Sequence, residues 1–381
     1  MSPKLADVIA ALEQAYPPHT AESWDAVGLV CGDPDERVGK ILICVDPVES
    51  TVDEAIEAGA QLLVAHHPLL LRGVNGVPAN DPKGALVHKL IRNNAALFCA
   101  HTNADSALPG VSDALADKIG LTVTGPLTAA PEEPRDVLTT FVPVADAERL
   151  LQALHAAGAG EIGDYREVAW TATGDGRFRP TANARPAIGT VGELTEIQET
   201  RIELTVPRRH RKRVIDALRA THPYEEVAFG LHEIAELPSD QGIGRVGELP
   251  AGEPLWMFTQ RVADALPPTK WGVRAAGDPN RLIKRVAVCG GAGDSYLKTA
   301  TRAGVDAYVT ADLRHHPASE HLAAGGPALV DVAHWASEWP WCEQAAEVVR
   351  RAFGGTVEVL VSTRRTDPWT VGATSRTGGP E

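Results

Sequence analysis

The sequence predicts an α/β fold of two pseudo-symmetric α/β halves around one core, with an α+β segment inserted between them. Three observations point to this. Short apolar, β-rich runs alternate with helical stretches in both outer thirds of the chain. One stretch of the first third lines up with one of the last. The middle differs in composition from both. Short buried strands separated by helices mark a parallel or mixed sheet covered on both faces.

Each element follows from its local pattern. The N-terminus, MSPKLADVIAALEQAYP, carries Ala, Leu and Ile at helical spacing. KILICVD (40–46) reads as a buried strand, TVDEAIEAGA (51–60) as a helix ending near Gly59, and QLLVAHH (61–67) as the next strand. GALVHKLIRNN (84–94) is helical, ALFCAHT (96–102) is a strand, and SDALADKIG (112–120) is a helix closed by glycine. Near the C-terminus the same alternation returns: strand KRVAVCG (284–290), helix SYLKTATRAGV (295–305), strands DAYVTAD (306–312) and PALVDVAH (327–334), and helix CEQAAEVVRRAFGG (342–355). AGAQLLVA (58–65) lines up with AGVDAYVT (303–310); the first runs on into His66-His67, the second into Ala311-Asp312. Internal duplication is the economical reading. Two unrelated β-α-β units would share much of this pattern too.

From Pro126 to about Pro180 the chain is rich in Ala, Pro, Thr and Gly, with EEPRD and RFRPTANARP as loop-like stretches. Residues 201–234 then read strand, helix, turn, strand. Insertions succeed at exposed loops between complete units, so the expected organisation is 1–125, an inserted domain at 126–239, and 240–381. The last stretch, VGATSRTGGPE, is polar and expected to fray.

At 381 residues the chain exceeds what one core usually supports, and its 44% hydrophobic and 23% charged content is that of a globular protein. The net charge of −14 disfavours nucleic acid as a main partner, since no basic stripe is present to displace counterions. The five cysteines form no C-x-x-C pair and several lie in apolar runs, which suits reduced, buried thiols. No apolar run reaches about 18 residues and the N-terminus lacks a signal peptide's unbroken apolar stretch. A cytoplasmic protein with no membrane association is the expectation.

Three expected strand ends carry histidine: His66-His67-Pro68, His101 through Asp105, and His334 through Glu338. The last two are each a histidine followed four residues later by a carboxylate, at corresponding places in the two halves. Ligands collect at the C-terminal edge of a parallel sheet, and a four-residue step lets both side chains share a face if a helical turn follows the strand. Imidazole and carboxylate suit Zn, Fe, Mn or Co. His66, His67, Asp105, His334 and Glu338 are therefore the candidate ligands of two divalent metal ions, with one carboxylate able to bridge them. Two such ions and two carboxylates leave a site of about +2, so an acidic protein can still attract a small anion. Water bound there would have its pKa brought toward about 7, making hydroxide available.

Other histidines read as structural: His88, His155, His210, His232 and His321, with His19 and His222 beside prolines. His315-His316-Pro317 copies the His-His-Pro string but lies past its strand end. Asp312 is a candidate supporting carboxylate. His101 reads as a ligand, a proton shuttle or an orienting partner. The turn CGGAGDS (289–295) offers Gly290, Gly291 and Gly293 as a phosphate cradle, or simply as a tight β-α turn.

SWDAVGL (23–29), AHHPLL (65–70), HTNADSALPGVSDALA (101–116), VAVCGGAG (286–293), YVTADLRHH (308–316) and LVDVAHWASEWP (329–340) together resemble the dinuclear-metal proteins known as GTP cyclohydrolase I type 2 homologues, or Nif-three-like proteins. The likeness covers both outer thirds in order. The middle segment, with His222-Pro223-Tyr224-Glu225-Glu226, resembles the PII-like and CutA-like inserts of longer members, which implies a ferredoxin-like α+β domain. The resemblance implies His66, His67, Asp105, His334 and Glu338 as metal ligands, with Glu338 the bridge, and a toroidal homohexamer with metal sites facing an internal cavity. The sequence departs from the usual pattern at Ala26, Ala311 and Ala333, none of them a ligand.

The leading expectation is a metal-dependent hydrolase that opens the purine ring of GTP, with hydroxide attacking C8 and His101 shuttling a proton. A phosphoesterase is the second reading, because two-metal sites also serve displacement at phosphorus. A non-enzymatic metal-handling or regulatory protein is the third.

Overall fold

The computed structural model describes residues 2–373; eight residues of the polar C-terminal stretch lie outside them. The chain divides into two compact units, one made of the residues up to Ala130 with those from Ser239 onward, the other of Pro131–Pro238.

The first unit opens with α1 (Leu5–Ala15), which buries Leu5, Val8 and Leu12, the three- and four-residue steps of one helix face. Then come β1 (Gly28–Cys31), β2 (Lys40–Cys44), α2 (Glu49–Glu57), β3 (Leu62–Ala65), α3 (Pro82–Arg92), β4 (Ala96–Cys99), the short α4 (Thr102–Ser106), α5 (Val111–Ile119) and β5 (Thr122–Pro131). Asp81 starts α3 by accepting from the N–H groups of Lys83 and Gly84, with Pro82 at the first helical position. Gly120 ends α5 at φ 81°, a conformation that glycine takes without a Cβ clash.

Pro131–Pro238 contains β6 (Arg135–Pro143), α6 (Ala147–Ala156), β7 (Trp170–Phe178), β8 (Thr195–Pro207), α7 (Arg211–Thr221) and β9 (Phe229–Glu233). Its antiparallel sheet runs β7-β8-β6-β9. Leu138, Leu150, Leu154, Ile202, Val214 and Leu218 close a separate core. The loop-like stretches EEPRD and RFRPTANARP fall largely between β5 and β6 and after β7, and the rest of 126–180 is mostly β5, β6, α6 and β7. The alternation of DVLTTFVP and the helical spacing of LLQAL prevail over the flanking prolines and glycines.

The chain returns to the first unit with β10 (Pro238–Pro254), α8 (Leu255–Ala265), β11 (Val273–Ala276), β12 (Leu282–Ala292), α9 (Leu297–Arg302), β13 (Ala307–Ala311), α10 (His315–Ala323), β14 (Ala328–Val332), α11 (His334–Phe353) and β15 (Glu358–Val361). One sheet runs β1-β4-β3-β2-β15, with β2, β3, β4 and β15 parallel and β1 antiparallel at the edge. The other runs β11-β14-β13-β12-β10-β5, with β12, β13 and β14 parallel and β11 antiparallel to β14. Helices α1, α5 and α11 share the largest core with inner faces of both sheets, around a fully buried Trp341.

Several boundaries differ from the sequence reading, among them the strand expected to run through Thr102, which stops at Cys99 with Thr102 opening α4. The strand expected to reach His334 stops at Val332, and His334 opens α11, a 20-residue helix that continues through Pro340. The helix expected from 295 is a single 3₁₀ turn, Asp294–Tyr296, followed by the short α9.

A buried arginine ties the first unit together. Arg245 is 1% exposed; it donates to Asp113 Oδ1 at 2.9 Å, to the carbonyls of Gly242 and Gly244 at 2.6 and 2.8 Å, and to that of Ala107. A guanidinium out of water needs this many acceptors to offset its desolvation.

Candidate metal centre

The site forms where strands end. β3 delivers His66 and His67, and β4 delivers His101 at the start of α4, which carries Asp105. β14 delivers His334 at the start of α11, with Glu338 one turn on. The donor atoms of His67, His334 and Glu338 all lie within 4.8 Å of one another, and so do those of His66, His67 and His101. Glu338 is the hub. Its Oε1 stands 3.0 Å from His334 Nε2 and 3.6 Å from His66 Nε2, and its Oε2 stands 3.2 Å from His67 Nε2. Asp105 Oδ1 is 3.8 Å from His66 Nε2. All five candidate ligands thus form one cluster, and His101 joins it.

Four imidazoles are tethered in the same way. His66 Nδ1 meets the carbonyl of Ala100 at 2.9 Å, His67 Nδ1 meets Asp46 at 2.7 Å, His101 Nδ1 meets Asp25 at 2.9 Å, and His334 Nδ1 meets Asp312 at 2.6 Å. An Nδ1–H donated outward leaves Nε2 as the inward-facing nitrogen, the tautomer that a metal ligand needs. Asp46 also accepts from the hydroxyl of Thr366, and Asp25 from the N–H and hydroxyl of Thr102. Of these tethers, only Asp312 is a candidate from the sequence.

The inward face is short of hydrogen. His66 Nε2 and Glu338 Oε2 are buried without a hydrogen-bond partner; the 3.2 Å approach of Oε2 to His67 is not aligned as one. Lone pairs facing lone pairs at such separations repel unless a proton or a cation lies among them. In the metal-free chain protons fill that role. Burial would lower the pKa of His67, but Glu338 and Asp46 raise it to about 10. Glu338 and Asp312 raise His334 to about 11 against its burial. Burial pushes the Glu338 carboxyl up, yet His67, His334 and His66 hold it well below the usual range. Asp105 is raised, chiefly by burial. Nitrogen and oxygen donors of this type fit Zn, Fe, Mn or Co ions.

Gly291 completes the pocket. It has φ +68°, and a Cβ there would stand 2.4 Å from Glu338 Oε1 and 3.2 Å from His334 Nε2. Its N–H donates to Ser337 Oγ at 2.9 Å, that of Gly290 to Ser112 Oγ at 3.3 Å, and that of Gly293 to the carbonyl of Ala311 at 3.5 Å. These amides are therefore occupied within the protein and do not cradle a phosphate; the glycines admit the carboxylate instead. Beneath the ligands, the Trp341 ring packs on His66 at 5.2 Å and on Tyr16 at 5.7 Å. Trp24, 58% exposed, sits edge-on to His101 at 6.0 Å. His315 and His316 lie exposed at the start of α10, in neither ligand set.

A mixed α/β core whose strand ends gather histidines and carboxylates able to hold a metal ion defines the class of protein. The chain belongs to the Duf34/NIF3 family (NGG1p interacting factor 3), which it matches over residues 3–368. Proteins called GTP cyclohydrolase 1 type 2 homolog are similar to it. That of Mycobacterium tuberculosis is 55% identical with 97% of each chain covered; that of Bacillus subtilis is 36% identical, covering 95% of this chain and 97% of its own. Among solved structures, a Bacillus cereus protein related to NIF3 superposes with a TM-score of 0.76 at 32% identity, covering 97% of this chain and 100% of its own. Staphylococcus aureus protein SA1388 superposes at 0.79 and 29%, covering 97% and 99%. No described helix is long and apolar enough to cross a membrane.

Proposed function

We propose that the cluster holds two divalent cations bridged by Glu338, and that the chain is a metal-dependent hydrolase acting on the purine ring of a guanine nucleotide. The observation that carries the reading is the common tethering of four imidazoles by Nδ1, with buried Glu338 facing the Nε2 atoms of three of them, His66, His67 and His334. The name shared by the relatives supports GTP as the substrate. His66, His67, Asp105, His334 and Glu338 would hold the ions, which supply Lewis acidity to water and to the substrate. The chain's own groups do the rest. Asp46, Asp312 and the Ala100 carbonyl hold the rings in register. Asp25 keeps a proton on His101 Nδ1, leaving Nε2 to take up or hand on a proton at the purine.

The architecture extends the proposal. The order β1-β4-β3-β2 recurs as β11-β14-β13-β12, which supports two halves related by duplication. The β-α-β-β-α-β succession and sheet order of Pro131–Pro238 support a ferredoxin-like, PII-like inserted domain. Five unpaired cysteines suit a cytoplasmic setting, and the motif resemblance favours a toroidal homohexamer.

Elemental analysis of purified protein, followed by a formate-release assay with GTP, tests the reading. Two metal equivalents per chain and loss of turnover in Glu338→Gln are expected. Stripped protein that converts GTP at the original rate overturns it.

A further inference from the structure

At the candidate metal centre lies a cavity of about 310 Å³ whose lining includes His67, His334, Trp271, Trp335, Asp367 and Trp369. Its size is at the lower end of small-molecule pockets. The rings of Trp271 and Trp369 stand 6.1 Å apart at 34°, with no room for a ring between them. Trp369 is left open at 58% exposure, although indoles are usually well covered in a folded chain, while Trp271, at 38%, carries the Arg274 guanidinium over its ring.

The polar lining is one-sided. Asp367 is only 7% exposed, and its Oδ2 is buried with no hydrogen-bond partner. Buried acceptors are normally satisfied, so this one is short of a donor. Asp46 and Asp312 also border the space, and Arg274, whose guanidinium lies 4.4 Å from the Trp271 ring, is paired with Asp331 at 2.7 Å. Asp46 and Asp312 are tied to His67 and His334, which leaves Asp367 as the unpartnered acceptor among the three carboxylates. Such a lining suits a flat ring that stacks on indole and presents N–H groups at its edge.

We propose that this cavity is a subsite for a planar nitrogen heterocycle with N–H donors, of the aminopurine kind, stacked on Trp271 and Trp369 with Asp367 accepting from its edge. It names the part of the substrate that the hydrolase reading leaves unplaced and so rests on that reading, but binding of a phosphate-free nucleoside is measured independently of metal and turnover.

The test is calorimetric titration of guanosine into the full-length, metal-stripped protein, its Trp369→Leu and Asp367→Asn variants, with zinc uptake measured alongside. Guanosine is expected to bind, and each variant to weaken it on the order of tenfold, with zinc stoichiometry and melting behaviour unchanged. Having two variants at separate residues guards against one that fails to fold. The proposal is overturned if guanosine does not bind, or if the folded variants bind it like the parent. It is also overturned if tetramethylammonium binds with the same dependence on Trp369, which would make the pocket a cation cage, or if inorganic triphosphate displaces guanosine. Guanosine binding without zinc uptake would remove the hydrolase reading and leave the subsite standing.

Discussion

Stripped of metal, the protein should keep a proton on both His67 and His334 through the neutral range, because Glu338 lies between them and Asp46 and Asp312 stand behind. A metal ion needs the same nitrogens as lone pairs, so binding must expel both protons. With the two pKa values near 10 and 11, neither proton leaves on its own below about pH 9. Each displaced proton makes the apparent metal affinity rise about tenfold per pH unit. Two make it about a hundredfold, or on the order of ten-thousandfold between pH 6.5 and 8.5. The sign for the metal-free fold is opposite. Both histidines are raised above their unfolded value of 6.5, so their stabilisation is complete below that pH and is lost as pH climbs through 10 and 11. Calorimetry of zinc binding in buffers of different ionisation enthalpy counts the protons, and chelator competition gives the slope. Proton release near zero at pH 7.5, or an affinity flat with pH, would refute the reasoning.

Three more outcomes follow from single side chains. Gly291→Ala places a methyl group against Glu338 and His334 at a positive φ, so metal content should fall well below that of the parent while the far-UV spectrum is retained; full metal occupancy would contradict the close approach. Arg245→Ala leaves Asp113 and three carbonyls without their buried donor and should cost about 3–5 kcal/mol in urea unfolding, whereas a loss under about 1 kcal/mol would show the pair to be solvated. Asp25→Asn loosens His101 and Thr102 together; stability should drop by about 1–3 kcal/mol, and formate release from GTP should slow with zinc stoichiometry kept.

The site was more legible than its supports. A histidine with a carboxylate four residues on is visible in sequence wherever it occurs, and both pairs converge with His66-His67. Asp25 and Asp46 went unread because their roles depend on neighbours in space. Asp46 sits beside His67 only through the parallel register that pairs Cys44 with Ala65, which no local pattern reveals. Asp25 lies in a loop 76 residues from His101. The individual elements of 126–180 are hard to delimit for a different reason, since proline and glycine at their ends interrupt the apolar spacing within them. At His334, the apolar run before it disguised a helix start as the end of a strand.

One consequence concerns synthesis. Strand β15 pairs in parallel with β2, so the first sheet takes its outermost strand from residues 358–361. A nascent chain that has already made β1 through β4 therefore emerges from the ribosome with the β2 flank bare, an invitation to pair with a neighbouring copy. That flank stays uncovered until residues 358–361 have been translated. Premature stop codons upstream of Glu358 should thus yield aggregates captured by chaperones, not a shorter working protein.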